Sequence, residues 1–474
     1  MPIKRYVASK DSTITNTFKE GLKLRATDAN MGASDVLEVF SLYSERSSDY
    51  VDYPGISRIV MDFPVDTIIK DREEGNIPQS GSVQFIMKLS NTPHPFTLPE
   101  NFYITVNPLS KAWTEGRGLD MERYKDKGSV NWLSASNDLA WDMEGGDYHE
   151  SPSVSQLFEE GTEDLEVDLT EIVESWITGS IEKNGLMIKL SSSHEDDTTS
   201  YYTKKFFARG TEFFFKRPTI EARFDATIKD SRSRFYNYNP FVDIEENNNT
   251  LYIYNRFKGK LQNLRTVGTG SIYVRLYSSA DLPLGDPLML LNQSYVVTGS
   301  WVSKGIYKAD IGIDTQHDYV YDIWFDENDD PIGYGGKIEV LNPDQETTFS
   351  IDDYVINIKN LKNKYSAKEK ARMQVFARLN NWNPNSYTSV VNTPPPGIVE
   401  DMYYKIFRIA DDLDVIPYGT GSMNHTRLSY DKTGNYFDLD MSLLEPGYSY
   451  GIKFSILDLD NIYENKSLFK FKVE

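Results

Sequence analysis

Short runs of alternating apolar and polar residues dominate the N-terminal part of the chain. From residue 36 onward they are bounded by turn residues and are rich in Val, Ile, Phe and Tyr. The clearest runs are VLEVFSLY (36–43), SRIVMDF (57–63), SVQFIMKL (82–89) and NFYITVNPL (101–109). Runs of this length and composition are typical of strands with a buried face. The pattern therefore predicts a β-sandwich or barrel.

One segment breaks this alternation, VDLTEIVESWITG at 167–179. Its apolar residues recur at i, i+3, i+4, i+7 and i+8, which is one face of a helix about three turns long. They are Leu169, Ile172, Val173, Trp176 and Ile177. The spacing of Asp168 and Glu171 predicts a variant of the capping box, and Gly179 is placed to end the helix. We predict one short helix that closes the open end of the sandwich.

The remainder of this first unit follows the helix. Asn184 and Gly185 form a turn pair, and LMIKLSSS (186–193) is the next predicted strand. The unit closes at RPTIEARF (217–224), and the polar stretch at 225–241 is interpreted as a linker. The first unit thus spans residues 1–225.

Two further groups of strand-like runs follow, at 235–345 and 347–474. They include TLYIYNRF (250–257), GSIYVRLY (270–277), YVYDIWF (319–325), ARMQVFARL (371–379) and YYKIFRIA (403–410). Their spacing suits sandwiches of roughly 100 residues. LEPGYSYGIKF (444–454) resembles the turn and strand that carry a tyrosine corner in immunoglobulin-like and fibronectin type III modules. The predicted chain is all-β, with one sandwich unit followed by two immunoglobulin-like sandwiches.

Composition narrows the classes of function. Aromatic residues make up 13% of the chain, which favours pleated sheets and interfaces. The absence of Cys excludes disulfides, zinc–thiolate sites and thiol catalysis. A net charge of −21 argues against nucleic-acid binding. No apolar window approaches the roughly 18 residues of a membrane span, and the start has no signal-peptide core, so we expect a soluble chain that is not exported through a cleaved signal peptide.

Acidic residues are concentrated between 142 and 176, where no Lys or Arg occurs. Such runs are typical of solvated loops. Two further acidic clusters, HEDD (194–197) and DENDD (326–330), could offer oxygen ligands to a cation such as calcium, but neither has the spacing of a calcium loop. Solvated turns are the favoured interpretation of both clusters.

Catalytic motifs are not found in the sequence. The five histidines, His94, His149, His194, His317 and His425, show no HxxxH or HExxH spacing. Neither a GxSxG elbow nor a P-loop occurs. We therefore predict no catalytic residue, no cofactor and no metal site.

Aromatic residues crowd one part of the first unit, at Tyr201, Tyr202, Phe206 and Phe207 and in the FFF of 213–215. Their number exceeds what one buried face of a strand needs. Either both faces are buried there, or one face contacts a partner. The four residues at 201, 202, 206 and 207 are therefore a possible interface.

Taken in order, the motifs of residues 1–225 resemble the DNRLRE-type domain, a jelly-roll related to carbohydrate-binding modules. The matching positions are Asn30, Gly32, Arg58, Trp113, Glu115, Trp132, Asp168, Trp176, Asn184 and Gly185. The resemblance implies a jelly-roll in which Arg58, Trp113, Glu115, Asp168, Trp176, Asn184 and Gly185 are structural signature residues. The chain departs from the family at an insertion (70–81) and in the acidic segment at 142–166.

A jelly-roll followed by plain sandwiches resembles the structural proteins of tailed-bacteriophage virions. This resemblance implies a non-enzymatic component of a neck, collar, fibre or capsid decoration, located in the virion after assembly in the host cytoplasm. Its partners would be other virion proteins, in several copies. The alternative is a carbohydrate-binding adhesin with exposed Trp or Tyr as a glycan platform, for which Trp113, Trp132 and Trp141 are candidates. A depolymerase is a third possibility, for which a pair of acids facing each other across a cleft cannot be located from the sequence.

Overall fold

The computed structural model describes residues 3–19, 24–42, 54–93, 99–122, 126, 128–197, 199–278, 285–313, 317–342, 354–380, 397–419, 424–458 and 461–474. The chain forms two compact units. The N-terminal unit comprises residues 3–72 and 79–224, and the C-terminal unit comprises residues 225–474 with a short stretch at 73–78. Strands account for 45% of the structure and helices for 8%, so the predicted all-β fold class is confirmed.

The described part of the N-terminal unit contains two larger antiparallel sheets and a two-stranded ribbon formed by the seventh and eighth strands. Its strands are β1 (Ile3–Val7), β2 (Lys10–Thr15), β3 (Val36–Leu42), β4 (Gly55–Asp62), β5 (Gln84–Leu89), β6 (Phe102–Pro108), β7 (Ser134–Ser136), β8 (Leu139–Ala140), β9 (Val154–Phe158), β10 (Leu165–Asp168), β11 (Leu186–Leu190), β12 (Tyr201–Phe207) and β13 (Thr219–Arg223). One sheet has the order β1-β13-β5-β10, and the other has the order β12-β3-β4-β11-β6-β9, with β2 also paired to β4. Strand β12 therefore lies at an edge of the larger sheet.

The predicted helix is present as α2 (Thr170–Thr178). Its apolar stripe packs inward, with Leu169, Ile172, Val173 and Trp176 buried and Ile177 partly buried. Gly179 ends the helix in the left-handed region, as predicted, at φ 76°. The predicted capping box does not form. Asp168 still belongs to β10, and its Oδ1 accepts hydrogen bonds from the amide and hydroxyl of Thr170 at 2.8 and 2.5 Å.

The prediction of a single helix was wrong, because two more helices occur in the N-terminal unit. Helix α1 (Val65–Glu73) lies across the start of the stretch interpreted as an insertion, and α3 (Ser192–Glu195) is a single turn after β11. Arg72 of α1 donates to both carboxylate oxygens of Glu174 in α2, at 2.7 and 2.6 Å. Arg72 is buried, and the spacing of apolar residues could not predict that a charged side chain faces the interior. None of the described helices is long and apolar enough to cross a bilayer.

The acidic segment 142–176 is not the solvated loop that was predicted. Besides the helix predicted from residue 167 onward, it contains the strands β9 and β10, and bases from outside the segment pair with several of its carboxylates. Lys111 contacts Asp147 at 2.9 Å, and Arg223 contacts Glu166 at 2.9 Å. The charge pattern along the chain missed these pairs because their partners are distant in sequence.

Many strands build the C-terminal unit. They are β14 (Phe235–Tyr236), β15 (Asn249–Tyr254), β16 (Arg256–Phe257), β17 (Lys260–Leu261), β18 (Ile272–Tyr277), β19 (Val297–Ser303), β20 (Ile306–Ile311), β21 (Tyr319–Phe325), β22 (Pro331–Leu341), β23 (Tyr354–Ile358), β24 (Lys364–Tyr365), β25 (Lys370–Leu379), β26 (Met402–Arg408), β27 (Leu413–Ile416), β28 (Ser429–Asp431), β29 (Gly434–Asp440), β30 (Ser449–Asp458), β31 (Asn461–Glu464) and β32 (Phe469–Val473). A seven-stranded sheet has the order β14-β22-β21-β18-β19-β20-β15. Two other sheets have the orders β23-β25-β29-β28 and β24-β32-β30-β26-β27.

The stretch interpreted as a linker is an ordered part of this unit. Phe235 and Tyr236 pair in parallel with β22, and the Arg232 guanidinium contacts the buried carboxylate of Asp322. The Ile228 amide donates to the Ser429 hydroxyl at 3.0 Å. Polar composition suggested a linker, whereas these polar groups are hydrogen-bonded inside the fold.

The C-terminal sandwich contains the hydrogen bond of a tyrosine corner. Tyr450 is fully buried, and its hydroxyl donates to the Glu445 carbonyl at 2.8 Å. Tyr448, two residues earlier, is partly exposed. The feature that LEPGYSYGIKF resembled is therefore present in the structure.

Candidate functional site

The aromatic strand β12 has two different faces. Lys204 and Phe206 point into the unit, whereas Tyr201, Lys205 and Phe207 lie on the other face. Phe206 is fully buried and its ring meets Phe158 edge-on at 6.3 Å. The prediction of Phe206 as an interface residue was wrong, because strand alternation places it in the core.

The outer face of β12 exposes aromatic surface. Tyr201 is 40% exposed at one end of the strand. At the other end Phe207 is partly buried, and its ring packs against Phe213, which is 53% exposed, with centroids 5.5 Å apart. Lys205 lies between these ends and pairs with Glu38. We call Tyr201, Phe207 and Phe213 the β12 aromatic face.

Tyr202 belongs to a different cluster, beside α3. Its hydroxyl donates to Asp197 at 2.9 Å, and its ring meets the His194 ring edge-on at 4.7 Å. Tyr103, 44% exposed, lies 6.4 Å from the same imidazole. Hydrogen bonds to Asp197 from Thr199 and Tyr202 lower the pKa of that carboxyl to about 2. The cluster presents an aromatic surface beside a stable negative charge.

Lys204 is a buried cation behind the β12 aromatic face. Its ammonium donates to Asn91 Oδ1 at 2.9 Å and to the carbonyls of Gly161 and Glu163 at 2.8 and 2.6 Å. The nitrogen also lies 4.8 Å from the centre of the Phe158 ring. Burial lowers the pKa of Lys204 to about 8. Because three oxygens surround the ammonium, Lys204 fastens the turn at 161–163 to the sheet edge.

Arg58, one of the signature residues, holds α3 in place. Its Nε and Nη2 donate to the two carboxylate oxygens of Glu195 at 2.9 and 2.7 Å, and its Nη1 donates to the Gly145 carbonyl at 3.0 Å. Glu195 is only 4% exposed. The interpretation of 194–197 as a solvated turn is therefore wrong for Glu195. Burial lowers the pKa of the neighbouring Lys189, whose ammonium lies 3.9 Å from Glu195.

Glu115, a second signature residue, is bound from two sides. Arg209 donates to its carboxylate at 2.9 and 2.6 Å, and the Asp11 amide donates to it at 2.8 Å. Burial raises the pKa of Asp11 to about 6. Beside this network lies an open groove of 590 Å³. Its lining includes Trp113, the basic residues Lys10 and Arg117, and the acidic residues Glu115 and Asp126. Because charges of both signs are present, the groove favours no single class of ligand.

The candidate tryptophans of a glycan platform are buried. Trp113, Trp132 and Trp141 are 4–6% exposed and belong to one apolar cluster on the larger sheet. The Trp113 indole donates to the Asn184 carbonyl at 3.0 Å, and the Trp141 indole donates to the Asn131 carbonyl at 2.9 Å. Trp113, Trp132 and Trp141 therefore serve the core, and Tyr103 is one exposed aromatic of the described residues that remains for a sugar.

The remaining signature residues have structural positions. Gly185 has φ +90°, and a Cβ there would lie 2.3 Å from the Met61 carbonyl oxygen. Only glycine permits this approach between the start of β11 and β4. Trp176 is buried in α2, and Asp168 lies at its start.

The acidic cluster at 326–330 is organised internally. Asp326 Oδ1 accepts from the amides of Asn328 and Asp330, and Asp329 pairs with Arg275 at 2.6 Å. Within the described residues no three His, Asp or Glu side chains converge as a metal site would require. His94 lies outside the described residues.

Comparison with known proteins shows no family. No family model matches the chain, and no curated protein matches it. Among solved structures, the adhesin InvE of Yersinia pseudotuberculosis is similar over 50% of this chain, with 11% sequence identity and a TM-score of 0.16. The match spans 57% of that adhesin chain. The resemblance to DNRLRE-type domains therefore stays a prediction.

Proposed function

We propose that this chain is a non-enzymatic structural component of a tailed-bacteriophage virion that docks on other virion proteins in several copies. The observation that supports docking is the β12 aromatic face, where Tyr201 is exposed on an edge strand and Phe213 is exposed on the segment that follows this strand. Tyr and Phe are enriched in protein interfaces, and a rigid sheet loses little conformational entropy on binding. The resemblance of the sequence to virion proteins supplies the class of partner.

The anchoring of this face also supports the proposal. Lys204 and Phe206 hold the inner face of β12, so the outer aromatic side chains project from a fixed backbone. Lys205 and Glu38 lie between the exposed aromatics as a paired, polar strip. Aromatic residues interspersed with polar groups are common in protein interfaces.

Incorporation into particles tests this function. We expect mass spectrometry of purified phage to find the chain in repeated copies. A chain carrying Tyr201→Ser and Phe213→Ser, supplied in trans to a phage lacking the gene, should be incorporated at least tenfold less. Tyr448→Ser, at a comparably exposed tyrosine of the C-terminal unit, is the matched control. Absence of the chain from purified particles would contradict the proposal.

An adhesin is the second candidate, and one observation favours it. Tyr103 is 44% exposed beside His194, and an aromatic ring in this position can pack on a sugar ring. Binding to a glycan array that is lost with Tyr103→Ala and kept with Tyr448→Ala would support the adhesin. No binding by the folded chain would remove it.

A further inference from the structure

A loop of the C-terminal unit projects apolar side chains into solvent although its backbone is firmly held. We call residues 240–246 the acidic loop. Phe241 is 89% exposed and Ile244 is 62% exposed. The buried side chain of Asn247 organises the loop from inside: its Oδ1 accepts from the Asn239 amide at 2.6 Å, and its Nδ2 donates to the Asn239 carbonyl at 3.0 Å. The loop is therefore shaped before it contacts anything.

The charge of this loop has a single sign. Asp243, Glu245 and Glu246 lie beside the exposed apolar side chains, and no Lys or Arg occurs from 235 to 255. None of the described cations forms an ion pair with these three carboxylates. The loop thus combines exposed apolar area with uncompensated negative charge. A matching surface must be apolar and positive.

Such a surface exists on the same chain. Strands β16 and β17 form a hairpin at 255–261, which we call the basic hairpin. Its turn residues Lys258 and Gly259 both have positive φ, at 49° and 79°. Phe257 is 58% exposed, and the Lys258 ammonium lies 5.5 Å from the centre of its ring.

The charge of the hairpin is opposite to that of the loop. Arg256, Lys258 and Lys260 are exposed, and no Asp or Glu occurs from 247 to 280. No described carboxylate pairs with these three cations. Loop and hairpin therefore match in both respects: each exposes apolar area, and their charges are opposite.

The two features lie at opposite ends of β15. The acidic loop leads into Asn249 at the start of this strand, and the basic hairpin follows Tyr254 at its end. A six-residue strand spans about 20 Å. The loop and hairpin of one copy are too far apart to pair with each other. Two different copies can bring them together.

We infer that copies of this chain associate head to tail, with the acidic loop of one copy seated on the basic hairpin of the next. Such a contact joins two different surfaces, so repeated contacts form a ring if the rotation closes and a filament if it does not. The inference deepens the proposed multi-copy role and rests on it for its biological setting. Its test requires only the purified chain.

The contact is small, so a single one is expected to be weak. Opposite charges increase the rate of encounter, and exposed charges are screened as salt rises. Phe241, Ile244 and Phe257 supply the apolar area. In a closed ring the last contact joins two ends of the same assembly. Its effective concentration is therefore high, and the ring is more stable than a single contact.

The test uses two charge-reversed chains. The loop variant carries Glu245→Lys and Glu246→Lys, and the hairpin variant carries Lys258→Glu and Lys260→Glu. In sedimentation velocity over a concentration series, the wild-type mass should rise with concentration and the rise should weaken in high salt. Each variant alone should remain monomeric. A mixture of the two should regain association, because the intact loop of one variant meets the intact hairpin of the other, and the two reversed surfaces are also opposite in charge.

Controls separate this contact from general charge effects. Glu212→Lys with Glu327→Lys changes net charge equally at exposed residues that belong to neither the loop nor the hairpin, and should associate as the wild type does. A wild-type chain that stays monomeric at every concentration would overturn the inference. So would variants that still associate alone, or a mixture that stays monomeric. Presence in virions is measured separately, so failure here leaves the proposed function to its own test.

Discussion

Arg58 and Glu195 form a two-fold hydrogen-bonded ion pair, Nε to Oε1 at 2.9 Å and Nη2 to Oε2 at 2.7 Å, across 137 residues of sequence. The pair joins strand β4 to α3, and the third guanidinium nitrogen of Arg58 holds the Gly145 carbonyl. One side chain thus anchors two connecting segments to the larger sheet.

Replacing one partner of this pair should strongly destabilise the N-terminal unit. We expect Arg58→Met to lower the free energy of unfolding by about 3 kcal/mol, because it leaves the Glu195 carboxylate buried without its partner. Urea unfolding measures the change. Lys183→Met breaks the exposed pair with Asp66 and should cost less than about 1 kcal/mol. Equal effects of the two substitutions would contradict this account.

Glu221 should make the N-terminal unit sensitive to acid. Burial raises its pKa, but Arg5, Lys88 and Arg223 outweigh burial and lower the pKa to about 2, from 4.5 in an unfolded chain. A lowered pKa contributes stability above pH 4.5, and that stability is lost as the pH falls from 4.5 to 2. The shift corresponds to about 3 kcal/mol.

Glu221→Gln should remove this pH dependence. We expect a lower free energy of unfolding at pH 7 and a flatter decline between pH 4.5 and 2 than in the wild type. Urea unfolding at a series of pH values measures both, with the exposed Glu212→Gln as control. Parallel curves for Glu221→Gln and the wild type would show that Glu221 has no such role.

Two glycines with positive φ should respond differently to alanine. Gly179→Ala adds a Cβ with no atom within 4 Å, so only the left-handed backbone is disfavoured, by about 1 kcal/mol. Gly185→Ala adds the same conformational cost and places Cβ 2.3 Å from the Met61 carbonyl oxygen. We expect Gly185→Ala to lower the melting temperature much more than Gly179→Ala. Similar melting temperatures would show that the chain relaxes at residue 185.

Lys204 and Lys205 are adjacent in sequence, but the first is buried and the second is partly exposed, so each is a control for the other. Lys204→Met should cost about 3 kcal/mol, because the carbonyls of Gly161 and Glu163 lose their donor. Lys205→Met breaks a half-exposed pair with Glu38 and should cost less than about 1 kcal/mol. Hydrogen exchange at residues 161–166 should accelerate for Lys204→Met alone. Unchanged exchange there would mean that the ammonium does not hold the turn.

The sequence was informative wherever apolar spacing controls structure. Alternation located strands such as β4, the Asn184-Gly185 turn signal indicated β11, and the spacing from Leu169 to Trp176 located α2. Helix α1 was not predicted, because its buried face includes the charged residues Asp71 and Arg72 and so has no apolar periodicity. Pairs such as Arg72 with Glu174 form between side chains about a hundred positions apart, which periodicity cannot detect.

The candidate sites were less predictable, because the sequence does not show which side chains are exposed in the folded chain. The aromatic crowding at 201–207 was visible, but a buried lysine at 204 concealed which aromatics face inward. The acidic loop and basic hairpin combine charge with exposure. Their charges can be read in the sequence, whereas the exposure of Phe241 and Phe257 follows only from the folded backbone.

The pairing of β1 with β13 has a further consequence. Ile3 lies opposite Arg223, so the N-terminal unit begins and finishes on two neighbouring strands. A unit with adjacent ends can be spliced into a loop of another protein, or circularly permuted, without stretching its backbone. In the N-terminal unit the chain therefore enters and leaves through two adjacent strands, with residues 73–78 grouped with the other unit in between.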